Sequence, residues 1–266
     1  MSRLAGCFET LADQGRTALT TFITAGDPDL DATVPALHAM VAAGADILEL
    51  GVPFSDPEAE GPEIQAAFER ALANGVTLSG CLSMVRAFRA EDESTPIVLM
   101  GYLNSVLAMG VEVFARAAAD AGVDGLIMVN LPPEEADPLK SALDAAGLDL
   151  IFLASPTSTD QRLRKIVGRA SGFIYYVSLK GITGADHLQT EPVARRVADI
   201  KALTDTPVQV GFGIKDADSA RALAEAADGV VVGSALVSIM LAEPDPGQRL
   251  HRLAVKVAEL RQALDG

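Results

Sequence analysis

One glutamate stands inside an apolar run, where a charged side chain is least expected. The run is Asp46-Ile-Leu-Glu-Leu50, and Gly51-Val-Pro53 ends it. Glycine and proline at that point predict that a buried strand stops there, with Glu49 at its carboxyl end. An unpaired carboxylate is costly in a strand interior, so Glu49 requires a reason to be there. A single carboxyl group that shuttles a proton, acting in turn as general acid and general base, is such a reason.

Three more acids follow in the loop after this strand. Asp56, Glu58 and Glu60 lie between Pro53 and Pro62, and a loop of that length returns them towards the same rim as Glu49. A second carboxylate near the first could stabilise positive charge that develops on a substrate. The alternative for Glu58 and Glu60 is that they are ordinary solvated loop acids, since charges on loops usually are.

Three glycine-bearing turns in the second half of the chain predict an anion site. Each follows an apolar run, and glycine lets backbone N–H groups converge on a phosphate. Taken singly, each glycine is better explained by a tight turn; all three together favour a phosphate. Ser234 is expected to cap a short helix and lend its hydroxyl to the same oxygens. The turns are Gly181-Ile-Thr-Gly184, Gly211-Phe-Gly-Ile214 and Gly233-Ser-Ala235.

The elements that must position these groups alternate regularly along the chain. Short runs rich in β-branched and aliphatic residues are predicted as strands, with Ala- and Leu-rich segments of helical period between them. Glycine ends several of the helical segments immediately before a strand, which supports the phasing. The predicted strands are Leu19–Ala25, Asp46–Leu50, Pro96–Met100, Gly125–Val129, Leu148–Leu153, Phe173–Val177, Pro207–Val210 and Gly229–Val232.

Strict alternation of strands and helices predicts a parallel sheet. The presence of eight strand-helix units predicts that this sheet closes into a barrel. The α/β fold class is expected, as a single (β/α)₈ TIM barrel domain over residues 1–266. A doubly wound open sheet is the alternative, but no Gly-x-Gly-x-x-Gly follows the first strand. The predicted helices are Leu30–Ala43, Gly61–Asn74, Val111–Ala121, Pro133–Ala146, Asp160–Val167, Pro192–Leu203, Asp216–Ala226 and Gln248–Leu264, with extra short helices at Thr77–Ala90 and Ser234–Leu241.

Composition excludes several classes of protein. Hydrophobic residues make up 49% of the chain and charged residues 21%, which is typical of a globular protein. The net charge of −15 repels phosphate backbones, so nucleic-acid binding is not expected, and an anion site must be built from neutral dipoles. No segment is typical of a signal peptide or membrane span, so a cytoplasmic protein without membrane contact is predicted. Cys7 and Cys81 are expected to be buried or partly buried thiols, and no metal site is predicted.

Several motifs occur together and in order along nearly the whole chain. They are Gly-Asp-Pro (26–28), Glu-Leu-Gly-Val-Pro-Phe-Ser-Asp-Pro (49–57), Thr-Gly (183–184), Gly-Phe-Gly (211–213) and Gly-Ser-Ala (233–235). With them the chain resembles the α subunits of tryptophan synthase. The resemblance implies a (β/α)₈ lyase that cleaves indole-3-glycerol phosphate to indole and glyceraldehyde 3-phosphate. It also implies an α₂β₂ heterotetramer, no cofactor in this chain, and pyridoxal phosphate in the β subunit alone.

The resemblance also assigns roles residue by residue. Glu49 matches the family's general acid/base, and Glu60 matches an acid beside the indole N–H. The departures are Glu60 itself and Asn130, where the family carries aspartate, and Glu58, where the family usually carries an apolar residue. A longer arm at Glu60 predicts slower chemistry, and the lost charge at Asn130 predicts weaker coupling between subunits. The substrate-binding matches are Phe22, Tyr175, Thr183 and Phe212, and the phosphate-binding matches are Gly184, Gly213, Gly233 and Ser234.

Two other functions stay open at this point. The altered loop could leave a barrel that binds ligand and regulates the β chain with weakened catalysis of its own. A Schiff-base aldolase is the other, because Lys180 follows the sixth predicted strand and such enzymes cleave similar phosphorylated C–C bonds. A loop lysine is usually just solvated, however, and an aldolase of this kind leaves the Glu49 motif unexplained.

Overall fold

The computed structural model describes residues 2–177, 190–211, 214 and 216–266. Within them, eight strands pair in chain order and close into a parallel barrel, which confirms the predicted fold class. All eight predicted strands are present, with ends shifted by a few residues at most. The strands are β1 (Ala18–Thr24), β2 (Ile47–Gly51), β3 (Ile97–Gly101), β4 (Gly125–Met128), β5 (Asp149–Ala154), β6 (Ile174–Val177), β7 (Val208–Gly211) and β8 (Gly229–Val232).

Helices surround this barrel and connect its strands. The extra helices predicted near residues 77–90 and 234–241 are present, whereas the helix predicted over Pro133–Ala146 begins with a separate 3₁₀ turn at Pro133–Glu135. The helices of the described residues are α1 (Arg3–Asp13), α2 (Thr33–Ala42), α3 (Pro62–Ala73), α4 (Leu78–Arg89), α5 (Leu103–Met109), α6 (Val111–Ala121), α7 (Asp137–Ala146), α8 (Asp160–Val167), α9 (Thr190–Lys201), α10 (Ala217–Ala224), α11 (Ser234–Ala242) and α12 (Pro246–Asp265).

Two of these helices, α1 and α5, were not predicted. α1 carries Leu4, Phe8 and Leu11 on one face, and these side chains pack with the apolar residues inside the barrel. The spacing i, i+4, i+7 is that of an amphipathic helix. α1 therefore closes the end of the barrel where the strands begin, and leaves the opposite end to the loops.

Alternation along each strand divides the core in two. On β1, Leu19 and Ile23 pack outwards against the helices, whereas Ala18 and Phe22 belong to a separate apolar cluster inside the barrel. The same alternation separates adjacent tyrosines on β6, because Tyr175 lies with the inner cluster and Tyr176 with the outer one. The two rings point to opposite faces of the sheet because the side chains of successive strand residues alternate.

The inward side chains form stacked layers, each supplied by alternate strands, as the strand stagger of closed eight-stranded barrels requires. Following the strand pairings around the barrel gives the order of the layers from the α1 end towards the loops. Three consecutive layers are Thr20, Val98, Ile151 and Gln209; then Glu49, Ile127, Tyr175 and Val231; then Phe22, Met100, Leu153 and Gly211. Glu49 and Tyr175 thus share a layer in the upper half of the barrel.

Aspartates brace the α1 end of the barrel by a repeated device. Asp46, Asp124 and Asp228 each precede a strand, and a carboxylate oxygen of each accepts a backbone N–H from the first or second residue of a neighbouring strand at 2.8 Å. Each carboxylate also forms a salt bridge, for example from Asp46 to Arg261 at 2.8 Å and from Asp124 to Arg89 at 2.8 Å. Because these carboxylates are largely sheltered from water and hydrogen-bonded on both oxygens or to two partners, they fix the strand register at this end.

Both cysteines are free thiols, as predicted. Cys81 is buried in α4 and Cys7 is half-buried in α1. Burial raises the pKa of each thiol to about 12, so neither is a reactive thiolate at neutral pH. Among the residues that the structure describes, no helix combines the length and the hydropathy needed to cross a bilayer.

Candidate active site

Glu49 lies on the inner face of β2, enclosed by the upper layers of the barrel. Its side chain is 1% exposed, and its Oε2 atom has no hydrogen-bond partner. Burial, and to a smaller extent the nearby charge of Glu60, raise the pKa of Glu49 to about 8. A carboxyl group with such a pKa holds a proton at neutral pH and can release it, which is what a general acid and base must do.

Glu60 is half-buried in the loop between β2 and α3, and it is the acid of this loop that faces Glu49. Burial raises the pKa of Glu60 to about 7. The other two loop acids differ, because Asp56 and Glu58 are exposed to solvent. Asp56 accepts a hydrogen bond from the adjacent Ser55 hydroxyl at 2.6 Å. The solvated-acid interpretation therefore describes Glu58, whereas Glu60 belongs to the cavity.

Tyr102, at the end of β3, anchors the loop that carries Glu60. Its ring stacks on Phe54 with centroids 4.7 Å apart, and its hydroxyl accepts the Ala59 amide N–H at 3.2 Å. The side-chain amide of Gln65 donates to the Glu60 carbonyl at 2.9 Å and so holds the other end of the loop. The sequence analysis did not single out these residues. The position of Tyr102, directly after the third apolar run, was the signal that could have found it.

Two aromatic side chains inside the barrel lie over glycines of the next strand. A Cβ on Gly51 would come within 2.6 Å of the Phe22 ring, and a Cβ on Gly211 would come within 2.3 Å of the Tyr175 hydroxyl. Only glycine fits at both positions, and each ring therefore extends towards the barrel axis. The charges of Glu49 and Glu60 add to burial in raising the pKa of Tyr175, which places all three groups around one space.

The described part of the predicted phosphate site lies at the amino end of α11. Gly233 is the N-cap residue of α11, and Ser234 is its first helical residue. The expectation that the Ser234 side chain caps the helix is wrong, because the chain turns into the helix one residue earlier and no side chain caps it. The N–H groups of the first turn of this nine-residue helix and its dipole still favour an anion at this end.

Several predicted site residues cannot be placed. Thr183, Gly184, Phe212 and Gly213 lie outside the described residues, as does Lys180. Of the predicted site, the structure brings together Glu49, Glu60, Phe22 and Tyr175. Gly233 joins them, since a Cβ there would lie 3.3 Å from the Phe22 ring.

Asn130, where the sequence analysis expected weaker subunit coupling, has a local role in the fold. Its Oδ1 atom accepts the Leu103 amide N–H at 2.8 Å, and its Nδ2 atom donates to the Asn104 side chain at 3.0 Å. Leu103 is the first residue of α5, so Asn130 satisfies a free N–H group at the start of that helix. The side chain is exposed and lies at the same end of the barrel as the Glu60 loop.

A cavity of about 660 Å³ opens at the other end of the barrel, under α1. It is lined by Phe8, Leu11, Thr17, Lys201 and Asp228 among others, and Lys201 is paired with Asp228 at 2.7 Å. Active sites of (β/α)₈ barrels lie at the carboxyl ends of the strands. The candidate active site is therefore the Glu49 end of the barrel, where two carboxyl groups have raised pKa values. In the described residues, no cluster of His, Cys, Asp and Glu is placed to hold a metal ion.

Comparison with known proteins agrees with this geometry. The family model described as tryptophan synthase alpha chain matches residues 8–265. The chain belongs to the tryptophan synthase alpha chain family. The alpha chain of Thioalkalivibrio sulfidiphilus is 56% identical over 266 residues, which is the full length of both chains.

Solved structures of the same family superpose on the whole chain. The tryptophan synthase alpha subunit of Legionella pneumophila is 43% identical, with a TM-score of 0.93, over 100% of this chain and 99% of that one. A tryptophan synthase structure from Mycobacterium tuberculosis is 40% identical, with a TM-score of 0.90, over 99% and 98% of the two chains. The alpha-chain family is thus shown by sequence and by fold.

Proposed function

We propose that this alpha chain cleaves indole-3-glycerol phosphate to indole and glyceraldehyde 3-phosphate, with Glu49 as general acid and base. One observation supports the proposal: the buried carboxyl group of Glu49 has a raised pKa and interacts with the charge of a second such group, Glu60, and both interact with Tyr175. Pairs of titratable groups whose environments hold them near neutral pH are characteristic of acid–base catalysis.

The reaction requires one proton to leave Glu49 and one to return. Protonated Glu49 donates its proton to C3 of the indole ring, so that positive charge develops at the ring nitrogen. The Glu49 carboxylate then takes the proton of the glycerol hydroxyl next to the ring. As that O–H bond breaks, the carbonyl of the aldehyde forms, and the electron pair of the C–C bond flows into the ring and restores neutral indole. Glu49 ends protonated, as it began.

Glu60 supports the charged intermediate. An ionised carboxylate near the indole N–H stabilises the positive charge that appears on the ring, and a preorganised charge in an enclosed site is effective at this task. The pKa of about 7 makes Glu60 ionised, and that of about 8 keeps Glu49 protonated, between those two pH values. The active form thus carries one proton on the pair.

The remaining contacts fit an elongated substrate with an anionic tail. Phe22 and Tyr175 flank the space for the ring system, and the amino end of α11 at Gly233 and Ser234 offers neutral dipoles to the phosphate. Thr183, Gly184, Phe212 and Gly213 complete this binding site in our proposal. A chain of net charge −15 does not attract an anionic substrate at long range, so binding of the phosphate relies on short-range contacts with neutral dipoles.

The expected context of the reaction follows from the family. We propose that the chain is a single barrel domain that works in the cytoplasm with a β subunit, in an α₂β₂ heterotetramer. Pyridoxal phosphate is expected in the β subunit alone, and this chain needs no cofactor for the steps above, because every proton and electron pair is accounted for by Glu49 and the substrate.

Indole release from indole-3-glycerol phosphate tests the proposal, measured with and without a β subunit. We expect Glu49→Gln to lower kcat by about 10²- to 10⁴-fold, the usual contribution of a general acid or base. The matched control is Glu58→Gln, an exposed acid of the same region, which keeps the wild-type rate. Glycerol phosphate binding, measured by calorimetry, is expected to survive in both variants.

Two outcomes overturn the proposal. Phosphate binding without turnover in the wild-type chain, alone and with the β subunit, would assign it a regulatory role. Trapping of a covalent adduct on Lys180 by borohydride in the presence of substrate would instead assign a Schiff-base mechanism.

A further inference from the structure

A polar pair lies in the barrel interior, directly below the layer that holds Glu49. The Thr20 hydroxyl on β1 donates to the Gln209 side-chain carbonyl on β7 at 2.6 Å, and both side chains are 0% exposed. The neighbours of the pair in its own layer, Val98 and Ile151, are apolar. Buried polar groups carry a desolvation cost, so a pair at this position requires an explanation beyond packing.

The pair spans an intervening strand. β8 lies between β7 and β1, and Gly229 is the β8 residue that pairs in register with Gln209 on one side and Ala18 on the other. A Cβ on Gly229 would come within 2.7 Å of the Gln209 carbonyl oxygen and 3.0 Å of the Ala18 Cβ. The absence of a side chain at Gly229 thus opens the path by which Gln209 reaches Thr20. Glycines also make room for Phe22 at Gly51 and for Tyr175 at Gly211, although each of these glycines lies two residues beyond the register partner of the ring.

Two buried polar atoms without a hydrogen-bond partner belong to residues of adjacent layers. Gln209 Nε2 carries two N–H donors and has no partner, and Glu49 Oε2 is an acceptor without a partner. Thr20 pairs with Ile47 on β2, one inward residue below Glu49, so the amide held by Thr20 lies beneath the Glu49 carboxyl group. Consecutive layers are separated by about 3 Å along the barrel axis. One water molecule between donor and acceptor satisfies both, since a buried water typically makes two to four hydrogen bonds.

We propose that Gln209, held by Thr20, is a positioning residue for Glu49, and that its side-chain amide donates through one buried water molecule to Glu49 Oε2. The contact fixes the lower oxygen of the carboxyl group and turns the upper oxygen towards the substrate. This inference rests on the proposed role of Glu49, but it concerns the ground state of the protein and is measurable without substrate.

The sign of the effect on Glu49 is determined by the donors. N–H groups favour the ionised carboxylate, so the network holds the pKa of Glu49 below the value that it would have without them. Among the residues that the structure describes, the titratable groups that interact with Glu49 are Glu60, from the loop after β2, and Tyr175, from β6. Both disfavour a second negative charge, which makes the amide the favourable partner of the carboxylate in this layer.

The test measures the pKa of Glu49 directly, by ¹³C NMR of carboxyl-labelled glutamate in the full-length chain. The Glu49 signal is assigned by its loss in Glu49→Gln. The variant is the double substitution Thr20→Val with Gln209→Met, which replaces the whole polar pair by apolar groups of similar volume and leaves no half-satisfied partner. We expect the pKa of Glu49 to rise by about one unit, and the alkaline limb of kcat/KM to move by the same amount.

Two variants control for a merely structural effect. Thr21→Val removes a buried, unpaired hydroxyl on the same strand, but Thr21 points towards the helices, so the pKa of Glu49 should not change. Thr20→Ser keeps the donor and should keep the wild-type pKa. A shift in the double variant no larger than that in Thr21→Val overturns the proposal. Absence of turnover in the wild-type chain would instead count against the proposed reaction and leave the NMR result to be judged separately.

Discussion

Glu60 raises the pKa of Glu49 from across the mouth of the barrel. Burial is the larger cause of the shift and the charge of Glu60 is the second. Glu60 itself is held near pH 7 by burial. The two carboxyl groups therefore titrate as a pair, and the single-proton form of the pair dominates near neutral pH.

The pair predicts a narrow, bell-shaped pH profile of kcat/KM in the free enzyme. Activity needs Glu60 ionised and Glu49 protonated, so the acid limb should fall at about pH 7 and the alkaline limb at about pH 8. Steady-state rates of indole release between pH 5.5 and 9.5 (a range of roughly one and a half units beyond each limb) provide the measurement. A rate that stays level through this range would contradict these assignments.

Glu60→Gln should change this profile in two ways. The acid limb near pH 7 should disappear, because its titrating group is gone. The alkaline limb should move to lower pH, since Glu60 no longer raises the pKa of Glu49. Glu58→Gln is the matched control, because Glu58 is exposed and should leave both limbs in place. An alkaline limb that stays fixed in Glu60→Gln would show that the two carboxyl groups do not interact.

Glu60→Asp should maintain or raise kcat. Aspartate is the residue that the family resemblance places at this position, and the shorter arm returns the carboxylate by about one methylene. A misplacement of about 1 Å can cost about 100-fold in rate, so the gain can approach that factor. Single-turnover measurement of indole formation is the direct assay. If kcat instead falls sharply, the loop is adapted to the longer glutamate side chain, and the expectation that Glu60 misplaces its carboxylate is wrong.

Glu49→Gln should stabilise the protein as the pH rises. The pKa of Glu49 is about 4.5 in an unfolded chain and about 8 in the folded one, so the folded state holds a proton that the unfolded state releases. Raising the pH then favours unfolding, by about 1.4 kcal/mol per pH unit between roughly pH 5 and pH 8. The free energy of unfolding of Glu49→Gln relative to wild type should increase with that slope. Urea unfolding at several pH values measures it, and a pH-independent difference would argue against a buried, protonated Glu49.

Tyr102→Phe should loosen the loop that carries Glu60. The variant keeps the ring that stacks on Phe54 but removes the acceptor of the Ala59 amide, a hydrogen bond with a net contribution of about 1 kcal/mol. Hydrogen exchange at Ala59 should accelerate, and kcat should fall by about fivefold. Tyr176→Phe provides the comparison, because Tyr176 packs among the helices away from the site. Unchanged exchange at Ala59 would show that the loop is held by other contacts.

The fold was largely predictable because its signals are local. Each strand is a short apolar run bounded by glycine, proline or an acid, and the alternation with helical segments leaves few topologies. α1 was missed although Leu4, Phe8 and Leu11 have helical spacing. The first residues of the chain were judged only as a possible export signal, and their role in closing the barrel depends on contacts that no local pattern contains.

The candidate site was predictable where a single residue type at the end of a strand is enough to indicate a function. Glu49 is such a residue, since a carboxyl group in an apolar run has few explanations. Gln209 and Thr20 are not, because their partnership depends on the gap at Gly229 and on the register of three strands. Tyr102 likewise acts through a loop whose path is set by tertiary contacts. The cap at Ser234 was predicted one residue late, an error typical of helix boundaries.

The aspartate braces under the barrel have a consequence for how such a protein can change. Asp46, Asp124 and Asp228 secure the strand starts through backbone contacts that do not involve the loops at the opposite rim. Substitutions in those loops can therefore change the chemistry of the site while the strands keep their register at the α1 end of the barrel. Glu60 and Asn130 are differences of this permitted kind, and an engineer who wishes to graft another activity onto this scaffold should leave the three aspartates untouched.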